Sequence, residues 1–156
     1  MSMEKELLNT FDKELLLKDL CARLPYGIKF LRESWNFETD QEMSVIEVLE
    51  DIDKDGYINN TKVYKVEDIK PYLFPLSSMT DKQAKEMQEI IGNPNYACIM
   101  RKTGGLELWL ESVDTDPTIW LDTIFEVQDW LNKNHFDYRN LIDKNLAIDC
   151  TNLNIY

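Results

Sequence analysis

The sequence predicts a single α+β domain, covering residues 1–156, in which antiparallel strands are segregated from helices. The chain has 156 residues, which suits one domain with a real buried core. Helical spacing of apolar residues marks two segments, and a capping box marks the start of a third helix. The β-branched and alternating segments fall in neighbouring pairs that suggest hairpins. These observations together favour α+β architecture.

The first predicted helix covers residues 5–24. Leu8, Phe11, Leu15 and Leu20 recur at helical spacing, with charged residues between them. Pro25 disfavours helix in the residue before it, so the helix ends there. We expect the broad apolar face of this helix to pack on the core of the domain or on a partner.

Two further helices carry clear start signals. Thr80 and Gln83 form a capping box, which predicts a helix over residues 80–91. Asp116 and Pro117 suit the N-cap and first position of a helix over residues 117–133. A short C-terminal helix is predicted over residues 138–143.

The predicted strands fall in the segments between and after these helices. They cover residues 28–31, 62–66, 96–101, 106–110 and 146–148, and the third and fourth form a hairpin that turns at Gly104 and Gly105. Residues 44–52 fit a helix or a strand equally well. If they form a strand, they pair with residues 62–66 in a hairpin that turns at residues 53–56.

The net charge of −12 is concentrated in two segments. Residues 38–55 contain eight acids and one lysine, and residues 103–132 contain seven acids and no base. Such surfaces repel the phosphates of nucleic acids and attract cations or basic proteins. The composition therefore disfavours direct binding of DNA or RNA. The simplest alternative is that the acidic faces only keep the protein in solution.

The segment from Asp51 to Lys62 begins like a calcium-binding EF-hand loop. Asp51, Asp53 and Asp55 alternate and are followed by Gly56, which matches the first half of that loop. The twelfth position, which needs a bidentate Glu, is Lys62. The alternative is an acidic turn, because Asp and Gly are common in turns. The three aspartates are thus candidate metal ligands, but the sequence does not predict a metal site here.

Catalytic chemistry has one candidate centre. His135 is the only histidine, so a Cys-His or Ser-His-Asp site would have to include it. No nucleophile-elbow or phosphate-binding glycine pattern accompanies it. Cys21, Cys98 and Cys150 are widely spaced, which disfavours a zinc site. We therefore predict no catalytic residues and no cofactor, and we regard a small enzyme with a site around His135 as the alternative.

The acidic helix at 117–133 is the predicted interaction surface. Asp122, Glu126 and Asp129 face away from its apolar stripe, and Trp130 lies off that stripe, where it could anchor a partner. This pattern predicts a non-enzymatic role in binding a basic protein. A homodimer is a further possibility.

The expected location is the cytoplasm. No apolar run reaches the roughly 20 residues of a membrane span. Acidic residues interrupt the leucines of the N-terminus, unlike a signal peptide.

Three phrases of the chain carry a resemblance. They are the segments DLCARLPYG at 19–27, EDIKPYL at 67–73 followed by PLSSMT at 75–80, and WLNKNHFDYRNLI at 130–142. Together they resemble a family of small acidic proteins of gut-dwelling anaerobic bacteria and their prophages. The resemblance implies no activity, favours an accessory protein that binds another protein, and places the variable stretch between Gly27 and Glu67.

Overall fold

Three α-helices, three short 3₁₀ helices and seven strands make up the regular structure of the described residues. The computed structural model describes the backbone of residues 8–92, 97–102, 105–110 and 117–156, and the side chains of residues 8–92 and 123–156. The helices are α1 (Thr10–Arg23), α2 (Asp81–Ile91) and α3 (Pro117–Lys133). The strands are β1 (Lys29–Asn36), β2 (Gln41–Val48), β3 (Ile69–Pro75), β4 (Ala97–Lys102), β5 (Gly105–Leu110), β6 (Phe136–Asp137) and β7 (Ile148–Asp149). The predicted α+β class is confirmed.

The strands form two sheets. The larger is mixed and has the order β2-β1-β3-β6, with β7 also paired with β3. The pairs β1–β2 and β1–β3 are antiparallel, and β3–β6 is parallel. The smaller sheet is the predicted hairpin, with β4 antiparallel to β5. Its turn at Gly104 lies outside the described residues.

The chain groups into two compact units. The first comprises residues 1–72, 139–148 and 155–156, and the second comprises residues 73–138 and 149–154. In the second unit, Met79, Met87, Leu131 and Phe136 form a buried apolar cluster. The exposed start of α2 has the predicted capping box, in which Thr80 and Gln83 bond to each other's backbone N–H groups.

The first unit contains a buried charged group. Asp19 and Arg23, one turn apart on α1, have side chains that are 0% exposed. Arg23 donates two hydrogen bonds to the Asp19 carboxylate, at 2.8 and 3.1 Å. Arg139 forms a second ion pair with the same carboxylate at 3.3 Å. Leu16 and Leu20, on the same face of α1, are also buried.

Several predicted elements differ from the structure. Helix α1 begins at Thr10 rather than residue 5, because the Asn9 side chain accepts a hydrogen bond from the Asp12 N–H and caps the helix there. Residues 5–7 lie outside the described residues. The short C-terminal helix does not form, and residues 138–147 are a series of turns in which Asn140 and Asn145 have positive φ.

The predicted strand at 62–66 is also wrong. Only Lys65 pairs, in an isolated bridge with Tyr57, before a 3₁₀ turn at Val66–Asp68. The positive φ of Lys62, 56°, breaks the extended backbone that a strand requires. The ambiguous segment 44–52 is a strand as far as Val48.

Replacing Asp19 with Asn tests the buried charged group. We expect D19N to lower the free energy of unfolding by about 3–5 kcal/mol, because Arg23 and Arg139 would lose the charge of the buried Asp19 carboxylate. Urea unfolding followed by circular dichroism measures the change. E14Q makes the same chemical change at an exposed position of α1 and should stay within about 0.5 kcal/mol of wild type. Equal effects of the two variants would contradict the assignment.

Candidate interaction surfaces

The β1–β2 hairpin extends beyond the rest of its sheet. Strand β3 pairs with β1 only at Phe30–Arg32, so residues 33–36 and 41–44 form a ribbon of two strands. A four-residue turn closes it, and the Asn36 side chain accepts hydrogen bonds from the N–H groups of Glu38 and Thr39. The strand predicted over residues 28–31 is therefore longer than expected, since β1 continues to Asn36.

The two faces of the hairpin differ. On one face, Arg32 donates two hydrogen bonds to Glu47 at 2.7 and 3.0 Å, and Tyr64 donates another at 2.6 Å. The Arg32 guanidinium also lies 5.0 Å from the centre of the Tyr64 ring. The hydrogen bonds from Arg32 lower the pKa of Glu47, while burial and then the Glu47 contact raise the pKa of Tyr64. The polar groups of Arg32, Glu47 and Tyr64 thus bond to one another on this face.

The opposite face exposes apolar side chains. Leu31 faces Ile46 and Trp35 faces Glu42 in the β1–β2 register, so these residues share one face. Trp35 is 44% exposed and Ile46 is 50% exposed, and Phe37 in the turn is 89% exposed. Large apolar groups this accessible, gathered on one β-hairpin, are typical of interaction surfaces.

Carboxylates lie at both ends of β2. Glu38, Asp40 and Glu42 are at the turn, and Glu50, Asp51 and Asp55 follow the strand; all six are exposed. The other two acids of this segment are already paired, Glu47 with Arg32 and Asp53 with Lys62. Most of the charge of the first acidic segment is thus displayed around β2.

The EF-hand-like segment forms a turn closed by its own hydrogen bonds. The segment follows strand β2, and the bridge between Ile52 and Ile58 spans the turn, so the entering helix of an EF-hand is absent from this described region. Asp53 accepts hydrogen bonds from the N–H groups of Asp55 and Tyr57, both at 2.9 Å. The ammonium of Lys62 contacts the same carboxylate. The Lys62 ammonium therefore occupies the Asp53 carboxylate that a metal ion would need.

Two further oxygens that an EF-hand would use, beyond the aspartate carboxylates, are also engaged. The Tyr57 carbonyl accepts a hydrogen bond from the Asp53 N–H at 3.0 Å. The Asn59 side chain accepts from the N–H groups of Glu50 and Asp51 and donates to the Val48 carbonyl. Across residues 8–92 and 123–156, no three His, Cys, Asp or Glu side chains are arranged to hold a metal ion.

His135 lies at the end of α3, where its backbone terminates the helix. Its φ of 61° is left-handed, its N–H donates to the Asn132 carbonyl, and its carbonyl accepts from the Phe74 N–H at 2.9 Å. The residue is 9% exposed, and Asp137 nearby is also buried. If His135 were exposed on a convex surface, an enzyme site around it would be excluded. His135 is instead buried, and its backbone ends helix α3.

Neither described cysteine has the features of a reactive thiol. Cys150 is buried, and burial, followed by the charge of Asp149, raises the pKa of its thiol to about 11. Its thiol is protonated at neutral pH and so is a poor nucleophile. Cys21 is exposed, but desolvation by burial raises the pKa of its thiol. The side chain of Cys98 lies outside the described residues.

The predicted surface on α3 is only partly available. Glu126 and Asp129 are exposed, as predicted from the helical spacing. Trp130 is half-buried, stacks on Phe136 at 5.8 Å between ring centres, and packs against the apolar cluster of its unit. Phe125, which the sequence analysis did not single out, is 59% exposed beside Glu126. The side chain of Asp122 lies outside the described residues.

Comparison with known proteins finds no match among protein families, curated proteins or solved structures. Within the described part of the chain, no helix combines the length and apolar character of a membrane span.

The pKa of Asp53 tests the pairing with Lys62. The hydrogen bond from Lys62, supported by the Tyr57 N–H, lowers the pKa of Asp53 to about 2. Because this pKa is lower in the folded state, Asp53 stabilises the fold above about pH 4 and loses that contribution as the pH falls toward 2. NMR titration of the side-chain carboxyl should report a pKa of about 2 in the wild type and a higher one in K62M. If the pKa of Asp53 is the same in K62M as in the wild type, the pairing with Lys62 is contradicted.

Calcium titration tests whether the loop geometry, and not Lys62 alone, prevents metal binding. We expect no heat of binding at millimolar calcium by isothermal titration calorimetry for either the wild type or K62E. K62E restores the acidic residue at position twelve, but the Tyr57 carbonyl and the Asn59 side chain remain in their own hydrogen bonds. Binding by K62E alone would show that Lys62 is the sole obstacle, and binding by the wild type would support a metal site.

Proposed function

We propose that this chain is a non-enzymatic accessory protein that binds a basic protein partner through its acidic surfaces. The observation that carries the proposal is the hairpin formed by β1 and β2. It combines exposed apolar side chains, at Trp35, Phe37 and Ile46, with six exposed carboxylates. Apolar groups supply binding energy, and the surrounding charges select the partner and speed its association.

Acidic residues kept only for solubility would not need this arrangement. A solvating surface is best served by charges that are dispersed, with few exposed aromatic side chains. Here Phe37 is the most exposed apolar residue among those described, and it lies between the acidic Glu38 and the end of β1. The close association of aromatic and acidic groups favours recognition over solubility.

Helix α3 supplies a second, smaller surface to the proposal. Its exposed Phe125 lies beside Glu126, with Asp129 one turn further along. Trp130 does not contribute an anchor, because its ring packs inside its own unit. We therefore rank the hairpin first and the α3 surface second as the partner site.

The resemblance in the sequence completes the proposal. We place the chain among the accessory proteins of gut-dwelling anaerobes and their prophages, on the strength of the three phrases quoted above. We also propose that it acts in the cytoplasm, the location expected from the sequence. A coding sequence located outside any phage-derived region would contradict the prophage part alone.

Selection from a displayed library of random peptides tests the proposed function. We expect peptides retained by the immobilised protein to be enriched in Lys and Arg, and their binding to weaken as salt is raised, because exposed charges are screened. Two matched variants locate the site. One reverses Glu38, Asp40 and Glu42 to Lys, and the other reverses Asp122, Glu126 and Asp129 to Lys.

The hairpin variant should lose the selected peptides, and the α3 variant should retain most of them. Loss only in the α3 variant would move the site to that helix. Selected peptides without basic enrichment, or equal retention by both variants and the wild type, would contradict the proposal.

A further inference from the structure

Strand β2 is an edge strand with an unpaired side. It is the end member of the sheet order, and no second strand pairs with it among the residues described. It is eight residues long, which corresponds to roughly 25 Å of extended chain. Long edge strands that are neither covered nor interrupted pair readily with another chain.

The hydrogen-bond register shows which residues face this open side. Leu49 donates its N–H to the Ile28 carbonyl at 2.8 Å, and the Ile28–Leu49 pair continues the register in which Lys29 faces Val48. Because bonded and non-bonded pairs alternate in an antiparallel ladder, the odd-numbered residues of β2 bond to β1. The backbone N–H and C=O groups of Glu42, Ser44 and Ile46 therefore point away from the sheet.

The end of the open side is defined by Asn59. Its side chain donates to the outward carbonyl of Val48 at 2.8 Å, which confirms the direction of the even-numbered residues. The same side chain bonds the N–H groups of the two residues after the strand. The open stretch is thus limited on one side by Asn59 and on the other by the turn at residues 37–40.

We propose that the outer edge of β2 receives an extended basic peptide of the partner as an added strand. This inference rests on the proposed function and specifies its binding mode. Main-chain hydrogen bonds to Glu42, Ser44 and Ile46 would provide affinity, and alternate side chains of the peptide would lie along Ile46 and Val48. Lys or Arg residues flanking the peptide core would meet Glu38 and Asp40 at one end and Glu50, Asp51 and Asp55 at the other.

Charge decides between a basic peptide and a second copy of this chain. Self-pairing through β2 would bring two segments of eight acids and one lysine together. Like charges placed directly opposite across paired strands are destabilising. A peptide with basic ends meets the same carboxylates as opposite charges, so the heterologous strand is favoured.

Amide hydrogen exchange on the full chain tests the pairing directly. The probe is a synthetic peptide of about ten residues, with a Val-Thr alternating core and two lysines at each end, long enough to span β2. We expect it to slow exchange at Glu42, Ser44 and Ile46, whereas Met43, Val45 and Glu47 are protected with or without it. Protection of the even-numbered amides in the free protein, together with dimerisation in sedimentation, would overturn the proposal in favour of a second copy.

The substitutions S44P and S44A form the matched pair. S44P removes only an outward N–H, which an edge strand tolerates, and should weaken peptide binding by about tenfold through the lost main-chain bond. S44A keeps the N–H and should bind like the wild type. If S44P fails to fold, a peptide with every core amide N-methylated replaces it, since this peptide keeps the charges but cannot donate. Equal affinity of the methylated and unmethylated peptides would overturn strand addition.

The outcomes also separate this inference from the proposed function. If methylation and S44P have no effect but reversal of Glu38, Asp40 and Glu42 abolishes binding, the acidic surface binds a basic partner without strand addition, and the inference is wrong. If a peptide with glutamates in place of the lysines binds equally well and protects the even-numbered amides, the edge is a docking site but the basic partner is wrong.

Discussion

The first unit depends on the buried carboxylate of Asp19. A single anion receives two arginines, one from its own helix and one from the segment that follows β6. Removing these charges from water is costly, and only close bidentate geometry offsets the cost. The arrangement fixes the rotation of α1, because the helix must present Asp19 and Arg23 inward together with Leu16 and Leu20. It also ties α1 to residues 139–148, which contain no regular helix of their own.

The same logic of pairing separates structural acids from those available to partners. Asp19, Glu47 and Asp53 each have a cationic partner within the chain, and each holds a local structure together. Asp53 closes its turn, and Glu47 connects Tyr64 to the hairpin. Among the described residues, the six exposed acids around β2 form no ion pair of this kind. They contribute instead to the negative electrostatic potential around the hairpin. Because of this difference in role, the hairpin is our first candidate for recognition.

The sequence predicted the elements whose limits are set by local chemistry. Thr80 and Gln83 define the start of α2, and Pro117 starts α3, because caps and proline act within a few residues. The end of β1 was not predicted, since Arg32, Glu33 and Asn36 resemble loop residues until they are paired with β2. The positive φ of Lys62 and His135 also has no clear sequence signal, because residues with a Cβ rarely adopt it.

At the candidate sites, too, the sequence predicted the features set by local spacing and not those set by tertiary packing. Exposure of Glu126 and Asp129 followed from helical periodicity. The inward packing of Trp130 did not, because it depends on Phe136, which reaches it through tertiary structure. The sequence does carry a signal for the buried Asp19–Arg23 pair, because the two charges lie four residues apart on the same stripe as Leu16 and Leu20. Two opposite charges at this spacing inside an apolar stripe indicate a buried ion pair rather than two exposed side chains.

The projecting ribbon of residues 33–44 has a consequence for how this protein can change. Its side chains contribute little to the buried core, since the interior residues of β1 and its neighbours begin at Phe30 and resume at Leu49. Substitutions in the ribbon should therefore alter what is recognised while leaving the fold intact. A hairpin built in this way lets partner choice drift separately from stability, and it offers a natural position for grafting a foreign recognition sequence onto an unchanged scaffold.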